Sequence, residues 1–412
     1  MHYPNYRQRP RIIIIGAGFG GLQAAASLGN APAEVLLLNR ENYHTFVPLI
    51  YQVATAQIEP SLVAYPVRTL MRGFKNVRFL QATVERVDLQ NKIIGTDWGT
   101  IAYDYLVLAT GTQTRYHGIA GAQEHAFPLK TLKDAIALRQ HILRCFEQAQ
   151  LTLDPQRRRQ LLSFVVVGGG ATGVETAGAL AELLRTAFRK DFPDLAEQAR
   201  VRLVQSSAGL LPGLPQRLGN YSHRQLQRLG VTVQLNARVQ SMDANQVTLP
   251  QGAIPAATVI WTAGTEPTRP QLSHQVRCDR KQQLKVQPTL QLGDWPNVYA
   301  IGDLAAPPQP LSGVAPEALQ QGVTVARNLR RQLQGSLPKP FRYLNKGRLA
   351  IVGGYGGVGL IAGVPLQGLI PWLLWLVVHW IYLPGYRSRL LLLLTWLQNY
   401  LLKDRAQRHI WP

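Results

Sequence analysis

Between residues 11 and 333, short apolar runs alternate with longer amphipathic ones. Residues 11–15, 35–38 and 105–109 are nearly continuous apolar runs bounded by turn residues, the pattern of strands buried on both faces of a parallel sheet. Residues 77–80 and 83–88 alternate apolar and polar positions and read as short strands. A helix is predicted near 20–28. A longer one is predicted over 132–150, where Ile136, Leu138, Ile142, Leu143 and Phe146 recur at helical spacing. The plan then repeats. Strand 163–167, helix 174–188, strand 201–204, a helix near 221–229, and strands 231–235 and 258–263 follow in turn. Residues 297–303 return to a strand ending in Gly302-Asp303, and 317–333 read as helix. Repeated strand–helix–strand units predict an α/β fold with two Rossmann-like domains, the second inserted into the first. The expected boundaries are 1–120 and 285–337 for the outer domain and 121–284 for the inserted one.

Residues 338–412 break this pattern. Residues 366–383 carry no formal charge except a potential one on His379. As a helix this stretch is about 27 Å long, marginal for a bilayer. Pro371 near its start and Pro384-Gly385 after it argue against one clean span. A second apolar helix is predicted over 390–402, flanked by Arg387, Arg389, Lys403 and Arg405. Trp372, Trp375, Trp380 and Trp396, with Tyr382, Tyr386 and Tyr400, suit a headgroup interface. The segment is therefore expected to lie in a membrane surface as a monotopic anchor. Truncation before Leu366 is expected to release the remainder, still folded. A buried helical hairpin or a homodimer interface is the alternative.

At 412 residues the chain can hold two domains, and 46% hydrophobic with 16% charged residues is a globular composition. The net charge of +21 admits nucleic acid, an anionic membrane surface or acidic small molecules as partners. No compact basic arm with interleaved aromatics occurs, so no nucleic acid is expected, and Arg157-Arg158-Arg159 reads as a solvated loop. After Pro338 there are nine Lys or Arg residues and one acid, Asp404, which sets basic charge beside the aromatic segment. Cys145 and Cys278 are the two cysteines, without a Cys-x-x-Cys pair, so neither a disulfide framework nor a metal site is expected. A reducing compartment fits, with the protein facing the cytoplasm. No apolar signal core precedes Ile12, and the first strand is expected to begin the fold directly.

Two glycine fingerprints sit at the strand-to-helix turns of the two repeats. The first is Gly16-Ala17-Gly18-Phe19-Gly20-Gly21 and the second Gly168-Gly169-Gly170-Ala171-Thr172-Gly173. In G-x-G-x-x-G the first glycine makes the turn, and the second lets backbone approach a pyrophosphate. The third lets helix and strand pack, so that phosphates rest on the helix N-terminus. Two such sites in one chain suit one nucleotide that is retained and another that is exchanged.

With these motifs in view, the chain resembles the type II NADH dehydrogenases, single-subunit flavoprotein NAD(P)H:quinone oxidoreductases. Supporting stretches are 16–22, 42–55 (Asn-Tyr-His-Thr-Phe-Val-Pro-Leu-Ile-Tyr-Gln-Val-Ala-Thr), 124–130, 167–175, 300–305 and 385–390. The resemblance implies FAD in the first fold and NADH or NADPH in the second. It implies hydride transfer to flavin, then delivery of two electrons to a membrane quinone without proton pumping. Disulfide reductases share both fingerprints but need paired redox cysteines. A reductase of a soluble iron–sulfur protein and a nucleotide-sensing flavoprotein with little turnover remain alternatives.

The same resemblance assigns candidate residues. Gly16, Gly18, Gly20 and Gly21 frame the FAD pyrophosphate, and Asn39 with Arg40 lies at its ribose. Thr110, Gly111, Gly302, Asp303 and Gln321 lie along the flavin nucleotide. Gly168, Gly170, Gly173, Gln205 and Gly264 serve the nicotinamide nucleotide. Glu175 matches a glutamate near the nicotinamide, with a first-turn glutamate stabilised by the helix dipole as the alternative. Lys346 matches a lysine near flavin and quinone. The family's quinone motif, Ala-Gln-x-Ala-x-Gln-Gln-Gly, here reads Ala315-Pro316-Glu317-Ala318-Leu319-Gln320-Gln321-Gly322. Pro316 replaces its first glutamine, leaving Gln320 and Gln321. Gln205, followed by Ser206 and Ser207, stands where NAD-preferring folds present a carboxylate to the ribose. NADPH use at a rate comparable to or above NADH is therefore expected.

Overall fold

The computed structural model describes residues 9–403, 405 and 407–410. In chain order, β1 (Arg11–Ile15), α1 (Phe19–Ser27), β2 (Glu34–Asn39), α2 (Ile50–Ala54), β3 (Val77–Gln81) and β4 (Tyr105–Leu108) come first. Next come α3 (Leu132–Leu151), β5 (Ser163–Val167), α4 (Ala171–Arg185), β6 (Arg200–Val204), α5 (Gln216–Arg228), β7 (Val231–Gln234) and β8 (Thr258–Trp261). The last are β9 (Trp295–Ala300), α6 (Ala315–Leu333), β10 (Arg348–Gly353), β11 (Gly356–Ile361), β12 (Val364–Gly368), α7 (Leu369–Tyr382) and α8 (Tyr386–Leu402). Shorter strands and turns lie between them.

Compactness divides the chain into two units. The first contains residues up to Thr45, Tyr65–Gln113 and Thr265–Leu344; the second contains Phe46–Ala64, Thr114–Gly264 and the residues from Asn345 onward. Residues 265–284 thus group with the first fingerprint's sheet, and the C-terminal segment with the second's.

In the first unit the parallel sheet runs β9-β4-β1-β2-β3, with an antiparallel edge at Gln291–Leu292 beside β9. In the second, Phe127–Pro128 and β8-β5-β6-β7 form one parallel sheet. The order β3-β2-β1-β4 is repeated as β7-β6-β5-β8, so each fingerprint leaves the central strand of a Rossmann-type half-sheet. The apolar runs are the reason. Ile12, Ile13 and Ile14, like Phe164, Val165 and Val166, are fully buried because both faces are covered, by helices and, in each unit, by a short antiparallel meander that brings Val87, Ile94 and Ile101 into the first core and Val247 and Ile254 into the second.

Two parts of the sequence reading change. Arg157-Arg158-Arg159 is helical within Pro155–Leu161, started by Asp154, whose carboxylate caps the Gln156 N–H at 2.8 Å. Arg158 donates to Ala149 O and Thr152 O, so this run is partly fixed rather than a solvated loop. The apolar stretch from 366 begins in strand β12, the last of the β10–β12 antiparallel meander, and α7 starts only at Leu369. A cut before Leu366 would break that meander. Trp372, Trp375, Leu392 and Trp396 are buried, so α7 and α8 belong to the second unit's packing and are not a detachable anchor. Their other faces expose Leu369, Ile370, Leu373, Val377, Ile381, Leu390, Leu394, Leu397 and Leu401. Among the described residues no helix is long and apolar enough to cross a membrane.

Candidate functional site

The two glycine turns have matching geometry. Gly16 (φ +106°) and Gly168 (φ +113°) occupy left-handed conformations, and a Cβ at either would meet backbone of the returning strand, 2.4 Å from Ala109 O or 2.8 Å from Thr262 C. A Cβ at Gly21 or Gly173 would lie 1.9 or 1.8 Å from the carbonyl of Gly16 or Gly168. These four are closed by protein. Gly18 (φ −70°) and Gly170 (φ −73°) have ordinary backbone and open space within 4 Å of a built Cβ. Only the middle glycine of each turn faces room for a phosphate. Gly20 has a different task. Its Cβ would crowd Ile301 and Ala318, and Gly322 approaches its carbonyl, so Gly20 lets α1 and α6 pack backbone to backbone.

Each second strand ends in an amide that holds its turn. The Ala17 N–H donates to Asn39 Oδ1 at 3.0 Å, and Asn39 Nδ2 donates to Glu41 O at 2.8 Å. The Gly169 N–H donates to Gln205 Oε1 at 2.7 Å, and Gln205 Nε2 donates to Ser207 Oγ at 2.5 Å. Arg40 is exposed, and its carbonyl accepts from Gln81.

Asp303 follows β9 in a single turn of 3-10 helix, Gly302–Leu304, and accepts from Thr112 Oγ1 at 3.2 Å. Gln321 on α6 accepts the Gly302 N–H at its Oε1 (2.5 Å), while its Nε2 is buried with no hydrogen-bond partner among the described residues. A cavity of about 520 Å3 is lined by Gly302, Asp303, Glu317, Ala318 and Gln321. An unsatisfied buried donor costs about 1–3 kcal/mol, and a ligand acceptor in this cavity would satisfy it. The open Gly18 turn, the Asp303 carboxylate and this donor all fit FAD, which presents phosphates, hydroxyls and ring acceptors. Thr110 Oγ1 donates to Thr268 O, and Gly111 (φ +68°) is uncrowded.

The altered quinone motif opens α6. Pro316 falls in its first turn, where no intrahelical N–H acceptor is required, so proline is tolerated. Glu317 is buried, and its carboxylate accepts from the N–H groups of Ser312, Gly313 and Val314, which shapes the cavity wall. Gln320 exchanges two hydrogen bonds with the Leu344 backbone, each 2.9 Å, so its amide ties down the segment leaving the first unit.

In the second unit, Glu175 on α4 is buried. Burial pushes its pKa up to about 8, against hydrogen bonds from Ile351 N–H (3.3 Å) and the Trp375 side chain. Glu175 is the fifth residue of α4, beyond the first turn where the helix dipole acts on a carboxylate. Lys346 is exposed, and its Nζ lies 3.2 Å from Tyr382 Oη at the end of α7. Burial pushes His379 down to about 4, so α7 carries no charge at neutral pH. Gly264 (φ +131°) leaves room for His117, whose Nε2 lies 2.7 Å from Ala263 O. The Cys145 thiol is pushed up to about 11 by burial in α3, and Cys278 belongs to the other unit. Among the described residues no cluster of His, Cys, Asp or Glu is placed to hold a metal.

The flavin set and the two glutamines thus fall in the first unit. The nicotinamide set, Glu175 and Lys346 fall in the second. Thr112, Glu317, Tyr51 and Gln52 were not singled out as site residues from sequence, and Trp375 was read there as an interfacial residue. Glu317 was legible as the acid three residues into a helix; the others have no motif of their own.

Two nucleotide turns of one design, one of them beside an acidic residue and an open donor, define a flavin-containing pyridine-nucleotide reductase. Residues 10–322 match the family model described as pyridine nucleotide-disulphide oxidoreductase. The type II NADH:quinone oxidoreductase of Mycobacterium tuberculosis is 38% identical over 97% of this chain and 90% of its own length. That of Staphylococcus aureus is 27% identical over 88% of this chain and 92% of its own. The structure of NDH2 from Plasmodium falciparum in complex with NADH shares the fold, with a TM-score of 0.89 at 19% identity, covering 98% of this chain and 100% of that one. The chain belongs to the type II NADH:quinone oxidoreductase family. Membership does not favour a soluble iron–sulfur acceptor or nucleotide sensing.

Proposed function

We propose that this protein oxidises NADH through FAD and reduces a membrane quinone, without pumping protons. FAD, when bound, accepts the hydride and passes two electrons on. Gly16, Gly18 and Gly21 seat its pyrophosphate, Asn39 and Asp303 accept from its hydroxyls, and Gln321 Nε2 donates to it, beside Thr110, Gly111 and Gly302. Gly168, Gly170 and Gly173 seat the nicotinamide nucleotide, with Gln205 at the ribose and Gly264 keeping the approach clear. Glu175 retains a proton at neutral pH, and quinol formation takes up two protons with its two electrons. Lys346 supplies positive charge beside the acceptor. Gln320 serves by fixing the chain at Leu344.

The bare faces of α7 and α8 are proposed to rest in an anionic membrane surface, with the nucleotide units toward the cytoplasm. A membrane suits them better than a second copy of the chain. Exposed leucines lie beside Arg387 and Tyr386, an interfacial composition. Arg389 does not take part, since its guanidinium caps the Ile381 and Leu383 carbonyls at 2.7 Å each.

The observation that carries the reading is the pair of turns open only at Gly18 and Gly170. The test is turnover of the purified protein with NADH and a short-chain quinone. A yellow protein with one FAD per chain, forming one quinol per NADH, is expected. A flavin-free protein, or one that NADH reduces but no quinone reoxidises, would overturn it.

A further inference from the structure

Helix α8 has two faces with different occupants. Leu390, Leu394, Leu397 and Leu401 point outward and are exposed, whereas Leu392 and Trp396 are buried. The inward side carries hydrogen-bond donors. Trp396 Nε1 donates to Gln52 Oε1 at 2.9 Å, and Asn399 Nδ2 donates to Gln57 O at 2.7 Å. Just beyond the helix, the buried Arg405 donates through Nη1 to Thr55 O at 2.8 Å and Ala179 O at 2.9 Å, and through Nη2 to Glu182 Oε2 at 3.3 Å.

Three of these acceptors lie in residues 52–57, the end of α2 and the turn that follows it. That turn is buried throughout and contains Ala56 at φ +56°, a left-handed conformation that an L side chain adopts only under constraint. Gln52 is held at both ends of its amide, because its Nε2 donates to the Tyr51 hydroxyl at 3.1 Å. The Tyr51 ring meets Trp375 edge-on with centroids 6.2 Å apart, and the Trp375 side chain lies beside Glu175. A hydrogen-bonded chain thus runs from α8 through Gln52 to Tyr51, and ring packing extends it to Trp375, beside Glu175. The dinucleotide turn at Gly168–Gly173 is held separately, by Gln205 and the returning strand.

We propose that Trp396, Asn399 and Arg405 are positioning residues for the quinone half-reaction, holding residues 51–57 bent so that Tyr51 stays beside Trp375 and Glu175. The inference rests on the quinone-reductase reading above. The helix that bears the outward apolar face therefore also fixes the residues packed around Glu175, while the dinucleotide turn is held without it.

The test uses the full-length holoenzyme with Trp396→Phe, Asn399→Leu and Arg405→Lys, each read by stopped flow in the two half-reactions and by steady-state kinetics with a short-chain quinone. Losing one such donor should raise the quinone KM and slow flavin reoxidation by about fivefold or more, while NADH-driven flavin reduction stays within roughly twofold. Flavin content should be unchanged. Arg405→Lys, which keeps the charge and one donor, should show the smallest effect. Adding Ala56→Gly to Asn399→Leu should recover most of the loss, since glycine holds the left-handed turn without a clamp. Unchanged quinone kinetics in all three variants would overturn the proposal. So would an equal fall in both half-reactions with loss of flavin, the signature of a purely structural role. If Trp396→Phe does not fold, the other two variants decide. A wild-type protein that NADH reduces but no quinone reoxidises would overturn the underlying reading, and it would show before any variant is made.

Discussion

The sharpest expectation concerns the middle glycines, because their geometry separates folding from binding. At Gly18 and Gly170 the backbone is ordinary (φ −70° and −73°), and no protein atom lies within 4 Å of a built Cβ. Replacing either by alanine should therefore cost the empty protein little. Alanine is about 1 kcal/mol poorer than glycine at a helix N-cap, and restricting the unfolded chain returns about 0.4–1 kcal/mol. The net change should stay within about 1 kcal/mol, or a few degrees in melting temperature. Gly21→Ala is the contrast, since its Cβ would lie 1.9 Å from the Gly16 carbonyl and the turn must break. Binding should respond in the opposite order. A methyl group in the open space keeps a pyrophosphate off the turn, and one lost charge-assisted hydrogen bond is about 1.5–3 kcal/mol. That corresponds to roughly ten- to hundredfold in affinity. Gly18→Ala should lower the flavin-to-protein ratio and weaken FAD binding to apoprotein. Gly170→Ala should keep its flavin and raise the KM for NADH. Full flavin retention with unchanged affinity in Gly18→Ala would refute the reasoning. So would a Gly170 variant that loses flavin and leaves the NADH KM alone.

Four further outcomes are expected. Glu175 has a folded pKa raised by burial to about 8 from the ordinary carboxylate value of 4.5, so between these values the unfolded state releases a proton that the folded state keeps. Stability should fall as pH rises through that window, and Glu175→Gln should gain melting temperature relative to wild type from pH 5 to pH 8.5; a pH-independent difference would contradict the burial. Lys346→Ala should slow flavin reoxidation by quinone and spare reduction by NADH in stopped flow, and an unchanged reoxidation rate would remove Lys346 from the acceptor site. Leu394→Gln with Leu397→Gln, both on the exposed face of α8, should weaken binding to anionic vesicles without lowering the melting temperature; unaltered binding would place the membrane contact elsewhere. Gln205→Glu should shift the kcat/KM ratio from NADPH toward NADH by about tenfold, on the order of 1.4 kcal/mol, and strict NADH use by the wild type would remove the premise.

Much of the fold was legible because its strands are buried on both faces. Runs such as Ile12 to Ile15 and Phe164 to Val167 admit few other readings when a glycine turn and a small-residue helix follow. The roles of Gly18 and Gly170 were legible for the same reason, since each position in the motif answers to a different steric demand. Gly20 was not separable from them. Its neighbours across the helix interface, Ile301 and Ala318, come from the far end of the unit, and spacing in sequence carries no trace of that approach.

The C-terminal segment was harder to read because its residues serve two surroundings at once. Tryptophan and tyrosine at a membrane interface and tryptophan in a wet-edged core have the same composition, and only packing distinguishes them. Trp375 and Trp396 are core residues with polar partners, whereas Leu390, Leu393 and Leu394, between them in sequence, face outward. The same holds for the basic residues that made the segment look interfacial. Arg389 caps carbonyls at the end of α7 and Arg405 is buried against Glu182, so two of its cations hold the fold together. In the proposed membrane contact, attraction to anionic lipid would then fall to cations such as Arg387 and Lys403, which are exposed. Binding that depends on so few charges should weaken only moderately with salt, because buried apolar area supplies most of the attachment.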